Sequence, residues 1–378
     1  MCVSKSTYRR KIGNVVELGQ YEMSEEAFMS LQFILGNSGF GKTTYIYEKI
    51  IKESMEHPKE RYYCIVPEQF TLQTQRDFVT MHPRKGIFNI DVLSFQRLAF
   101  HVLEEVGESG RLVLEETGKN IVLRKLAKEH EKELKILGRN LKKLGYVSEV
   151  KSLISELIQY QVTPELLEEM VRNAGRQELL TRKLQDVLIL YRAFLEYMGK
   201  EYMTSDQVLQ VLAEVLVRSE KLKGATIVLD GFTAFNPVQL RLVQELCKIA
   251  KKVYITVTID AKEEVYSEPK KTELFYLSKK MVQSVTKAAK AVGVEIEEDY
   301  RCEGAKHRFN DKKELLFLEQ NLFRGGKAQY QEPVQAVFMK NYRTAMEEIT
   351  DTAVQIRKLV RESAFRYRDF AVVLGSMD

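Results

Sequence analysis

The chain has 378 residues, enough at roughly 150 per domain for two or three domains with ample cores, which excludes a disulfide-stapled miniprotein. Its 58 Lys and Arg against 53 Asp and Glu leave a net charge of +5, compatible with a polyanion partner but too small to require one, while 44% hydrophobic content and 7 Pro exclude a disordered chain. No apolar run approaches the roughly 18 residues that cross a bilayer, and Cys2, Cys64, Cys247 and Cys302 lie far apart without metal-ligand spacing, so the expectation is a cytoplasmic protein with no membrane contact.

Residues 1–28 carry a basic cluster, Arg9, Arg10 and Lys11, without the apolar core of a secretory signal, and read as an N-terminal extension outside the fold. From Met29 the strands LQFIL (31–35), YYCIVP (62–67) and FNIDVL (88–93) alternate with helices from Lys42 to about Met55, from Thr71 to about Thr80 and from Ser94. That alternation predicts a parallel sheet flanked by helices, with 29–111 as the first part of an α/β domain. Across 112–223 the strand signal vanishes. Aliphatics recur at three and four residues through Glu115–Lys132, Val147–Gln161, Pro164–Asn173, Leu180–Met198 and Gln207–Leu222, predicting an all-helical insertion. Thr163-Pro164-Glu165 and Thr204-Ser205-Asp206 read as helix starts.

Strands then return at ATIVLDGF (225–232), VYITVTI (253–259), VEIEED (294–299), AVFMKN (336–341) and FAVVL (370–374), with helices over Val238–Ala250, Thr272–Val292 and Met346–Arg361. Residues 224–378 are thus expected to complete the split α/β domain and to begin a following one. FAVVL stands so close to Asp378 that the chain reads as a fragment.

The sharpest motif is Gly36-Asn37-Ser38-Gly39-Phe40-Gly41-Lys42-Thr43, a full GxxxxGK[ST] match between a strand and an amphipathic helix. Glycines let such a loop turn its N–H groups toward phosphate oxygens, and the helix that starts near Lys42 adds its positive end. In this P-loop NTPase reading Lys42 reaches the β- and γ-phosphates of ATP and Thr43 ligates Mg²⁺; the competing reading is a structural glycine turn. A P-loop ATPase also needs a carboxylate at the end of a neighbouring strand, and Asp230 after ATIVL is the candidate for Mg²⁺. Gly231 occupies the next position, where translocases carry a catalytic Glu, so no catalytic base is assigned. Asp230 as a plain strand terminator at an Asp-Gly turn is the alternative.

GNSGFGKT, VPEQFTLQTQ (66–75), DVLSFQRLAF (91–100) and LDGFTAFNPVQL (229–240), in that order, resemble the N-terminal helicase-like region of the AddB/RexB subunit of the bacterial AddAB (RexAB) helicase–nuclease. The resemblance runs from about Met29 to the last residue and implies a RecA-like fold related to superfamily 1 helicases of the UvrD type. Their second motif, DEFQDTNPLQ, keeps here its Asp (Asp230) and its Asn-Pro-x-Gln end (Asn236 to Gln239), with Gly231, Thr233 and Ala234 replacing the Glu, Gln and Asp. Asn341-Tyr342-Arg343 resembles a helicase motif whose Arg reaches the γ-phosphate, against the alternative of a surface arginine. The resemblance further implies an AddA-type partner that supplies the main motor, single-stranded DNA with Chi-sequence reading, and homologous recombination at double-strand breaks. The nuclease and iron–sulfur cluster it implies would lie beyond this chain, near the C-terminus of the full subunit.

By the same resemblance, the segments after the second and third strands approach single-stranded DNA, which nominates Gln69, Thr71, Gln73, Ser94, Phe95 and Arg97. Amides and hydroxyls bond phosphates or base edges, and an aromatic ring stacks on a base. The competing readings are helix caps for Thr71 and Ser94 and a core position for Phe95. Two other functional classes stay open: a kinase-like nucleotide-dependent enzyme without a DNA role, and a structural subunit with a relic phosphate loop.

Overall fold

The computed structural model describes residues 29–108, 110, 112–138, 144–173, 178–199, 202–260, 262–302, 308–309 and 312–375; the expected extension over 1–28 lies outside the described residues. The chain divides into two compact units, Met1–His307 and Arg308–Asp378.

The first unit opens with β1 (Ser30–Gly36), α1 (Lys42–Glu56), β2 (Tyr62–Ile65), α2 (Thr71–Met81), β3 (Ile90–Leu93) and α3 (Phe95–Glu105). It continues with β4 (Leu112–Leu114), α4 (Glu116–Glu129), α5 (Leu144–Gln159), α6 (Pro164–Asn173), α7 (Glu178–Met198), β5 (Tyr202–Thr204) and α8 (Ser205–Val215). It closes with β6 (Thr226–Leu229), α9 (Pro237–Ile249), β7 (Lys252–Thr258), α10 (Tyr276–Ala291), β8 (Glu295–Ile296) and β9 (Tyr300–Arg301).

The main sheet has the order β3-β2-β6-β7-β1-β8, with β9 also on β1, and all its pairings are parallel. Its inner strands β1, β2, β6 and β7 are buried on both faces, as strands of a parallel sheet covered by helices must be, and their side chains alternate between two cores. Leu31, Phe33 and Leu35 of β1, Ile65 of β2, Ile227 of β6 and Val253 of β7 join one core with helices α3, α8, α9 and α10. Ile34, Cys64, Val228 and Tyr254 join the opposite core with Ile46, Tyr47 and Ile50 of α1 and Phe78 of α2. The register sets Leu229 beside both Ile65 and Ile255 and Gly36 beside Thr258, so the loops after β1, β2, β6 and β7 leave the same edge of the sheet. Ligands of open α/β sheets bind at such a carboxyl edge.

The stretch expected to be all-helical needs a correction. β4 and β5 pair in parallel, Leu112 beside Tyr202 and Leu114 beside Thr204, as a small second sheet. Strands of three residues are too short to carry a period that competes with the flanking helical pattern. The helices α4, α5 and α7 build a separate core around Leu123, Ile154 and Phe194, whereas Val208 and Leu212 of α8 belong to the core of the main sheet.

The second unit contains α11 (Lys313–Asn321) and α12 (Ala345–Glu362), and none of its described residues is buried. The strands expected at 336–341 and 370–374 do not form: both segments are irregular, and Val373 is 93% exposed. A strand needs neighbours for its N–H and C=O groups, and among the described residues this unit has none to pair with. In VEIEED only Glu295–Ile296 is strand.

Candidate functional site

β1 carries the chain to the sheet edge, and the loop from Gly36 to Thr43 turns there into α1. Gly39 (φ 79°) and Gly41 (φ 83°) are left-handed, a conformation that costs other residues about 1–2 kcal/mol. Gly36 has a different reason: a Cβ there would come within 3.2 Å of the Cys302 Cβ. Ser38 is exposed, Phe40 is half-buried with its N–H donating to the Asn37 carbonyl across 3.3 Å, and Asn37 is buried. Lys42 folds back under the loop, its Nζ donating to the carbonyls of Gly36 (2.9 Å) and Asn37 (2.8 Å). The first turn of α1 presents N–H groups without intrahelical partners, a favourable place for an anion.

Asp230 follows β6 directly, and the parallel register brings it to Thr43, 187 positions away in sequence. The Thr43 hydroxyl donates to both carboxylate oxygens, 3.1 Å to Oδ2 and 3.3 Å to Oδ1. Thr256 of β7 donates to Oδ1 across 2.5 Å, and Tyr47 of α1 donates to Oδ2 across 3.0 Å. Burial, with the charge of Asp230 also contributing, pushes the Tyr47 phenol far above its ordinary range, so it stays a protonated donor. Cys302, beside Gly36, has its thiol pushed up by burial, against a weaker downward pull from Lys42.

One hydroxyl and one carboxylate side by side form a hard oxygen donor set that suits Mg²⁺, a cation that completes its shell with water and phosphate oxygens. Among the described residues no cluster of three or more His, Cys, Asp or Glu could hold a metal by itself. Gly231 contributes no side chain; its φ of 80° is left-handed.

Tyr47 and Thr256 escaped the sequence reading, although both left a signal. Tyr47 stands one helical turn after Thr43 and so shares its face of α1. Thr256 is a buried polar residue within the apolar strand VYITVTI. Asn236 and Gln239 turn out to close a reciprocal capping box at the start of α9, with Pro237 at the opening position.

The six residues nominated for DNA divide by exposure. Gln69, Gln73 and Arg97 are exposed, Gln73 bonding Asp77 (2.7 Å) and Arg97 pairing with Glu68 (3.4 Å). Thr71 is buried and donates to the Glu68 carbonyl (3.0 Å); Ser94 is buried as the cap of α3, accepting from the Arg97 N–H (3.3 Å). Phe95 lies in the core against Phe232, ring centroids 5.4 Å apart. Gln69, Ser94 and Phe95 also line a cleft of about 590 Å³ at the sheet edge, together with Phe232 and, from the helical segment, Gln159 and Asp206. Arg343 is exposed in the second unit, its N–H donating to Glu347 (3.1 Å) just before α12. No described helix is long and apolar enough to cross a membrane.

A family model described as ADDB, N-terminal matches residues 33–319. Proteins named as the B-type subunit of an ATP-dependent helicase/deoxyribonuclease are similar to the chain. That of Lachnoclostridium phytofermentans is 40% identical over 354 residues, 93% of this chain and 31% of the relative. That of Bacillus cereus is 33% identical over 357 residues (92% and 30%), and that of Clostridium tetani 31% over 354 (93% and 31%). The chain therefore spans about a third of the length of these relatives. With the match covering most of the chain and the sheet carrying its glycine-rich loop on β1, the chain belongs to the AddB N-terminal family.

Proposed function

We propose that this chain is a P-loop, RecA-like nucleotide-binding part of an AddB-type subunit, holding ATP and Mg²⁺ through Gly36 to Thr43 and Asp230. The observation that carries the reading is the meeting of Lys42, Thr43 and Asp230 at one edge of a parallel sheet. Loop N–H groups and Lys42 would take the phosphates; Thr43 and Asp230 would hold Mg²⁺, which when bound neutralises phosphate charge. With Gly231 where a base would stand, hydrolysis is slow or absent.

Single-stranded DNA would bind at the same edge, along the cleft that Gln69 lines and through the exposed Gln73 of α2 and Arg97 of α3, and Chi reading would fall to this surface. The buried Thr71, Ser94 and Phe95 would support that surface from within. Alongside an AddA-type partner, the assembly would act in the cytoplasm in double-strand-break repair by homologous recombination.

Titration of a fluorescent ATP analogue into the protein and into Lys42→Ala tests the core of this reading. Loss of affinity in the variant is expected, and equal affinity would sink it. For the DNA arm, binding to a short single strand should weaken steeply as salt rises.

A further inference from the structure

The Asp230 carboxylate, directly after β6, is held by side chains of two other elements. Three hydroxyls from two elements converge on it: Thr43 and Tyr47 from α1 and Thr256 from β7. Tyr47 is itself fixed. Its ring stacks on Phe78 at 4.3 Å, and its oxygen lies 3.3 Å from Thr74 Oγ1. The single phenolic proton goes to the carboxylate, which leaves Thr74 to donate to the phenol oxygen. Tyr47 and Thr256 are buried, so water cannot readily replace either donor. Thr43, by contrast, is exposed, which leaves the Thr43 side as the approach to the carboxylate.

We propose that Tyr47 and Thr256 are positioning residues for Asp230, holding its carboxylate in the one orientation that engages the hydration shell of a divalent cation bound beside Thr43. An aspartate free to turn about its side-chain torsions would spend part of its time facing away, and the cation's affinity would fall by that fraction. The inference rests on the nucleotide reading above and adds to it the residues that tune the cation.

The experiment follows binding of a fluorescent ATP analogue to the full 378-residue chain while Mg²⁺ is varied, for the parent, Lys42→Ala, Tyr47→Phe and Thr256→Val. Tyr47→Phe keeps the ring on Phe78, and Thr256→Val keeps its shape. In both, the Mg²⁺ concentration that half-restores tight binding should rise roughly three- to tenfold, the effect of one lost hydrogen bond, while affinity without metal stays unchanged. A Mg²⁺ midpoint that does not move in either variant overturns the inference. So does an equal loss of affinity with and without metal, which is what a merely structural role produces. Should Tyr47→Phe fail to fold, Thr256→Val carries the test alone. A parent chain that binds no nucleotide overturns this inference and the function together; a parent that binds, with Lys42→Ala defective and the other two like the parent, overturns this inference alone.

Discussion

Gly231 passes Pro67 with its backbone left-handed at φ 80°, and a Cβ on it would stand 3.6 Å from the Pro67 Cδ. There is room for a side chain at this position, but the backbone conformation penalises one and aims it at the proline. The main chain after β6 thus disfavours a side chain at this position in addition to the residue type supplying none.

Gly231→Ala should lower stability by about 1–2 kcal/mol, the cost of a left-handed non-glycine residue, measured by urea unfolding. Gly231→Glu should bear the same cost and leave ATP turnover as low as in the parent. DNA-stimulated phosphate release near ~10 s⁻¹, the enzyme median, in either protein would contradict the assignment of a weak hydrolytic site.

A buried cation ties the helical segment to the sheet domain. Lys119 of α4, 2% exposed, reaches Glu116 (2.8 Å), Asp206 of α8 (3.1 Å) and Ser205 (3.3 Å), and Gln159 of α5 also donates to Asp206 (2.8 Å). Lys119→Met leaves Asp206 without its cation and should cost about 3 kcal/mol; adding Asp206→Leu should recover much of that, because both desolvated charges are then gone. Unfolding of the two single variants and the double variant provides the cycle, and additive losses would count against the coupling.

The same cluster predicts an acid response. Hydrogen bonds from Lys119 and then Lys151 hold the Glu116 carboxyl below its ordinary value of 4.5. A carboxyl depressed in the folded state adds stability above its unfolded value, and that stability is lost as pH falls through the folded value. Glu116 is largely exposed, so the effect is modest and shrinks with salt. Urea midpoints followed from pH 6 to pH 3 should fall less steeply for Glu116→Gln than for the parent, and parallel curves would refute the link.

The local signals were strong where one element carried them alone. Apolar runs at 31–35, 62–67 and 253–259 became β1, β2 and β7, and aliphatics at helical spacing became α4 to α8, because strand alternation and helical period are properties of neighbouring residues. Asn236-Pro237-Val238-Gln239 announced the start of α9 for the same reason, since a capping box closes within four residues. FAVVL failed as a strand because apolarity is local and a pairing partner is not.

The candidate site shows the same division at finer grain. The residue types of Gly36 to Thr43 and the Asp at the end of ATIVL were legible without coordinates. That Thr43 bonds Asp230, that Tyr47 and Thr256 hold the same carboxylate, and that Phe95 belongs to the core while Gln69 and Arg97 stay exposed were settled by tertiary structure alone. Backbone propensity and hydrophobic period act over a few residues, whereas a hydrogen bond between α1 and the end of β6 exists only after β1, β7 and β6 have lined up in parallel and set their carboxyl ends side by side.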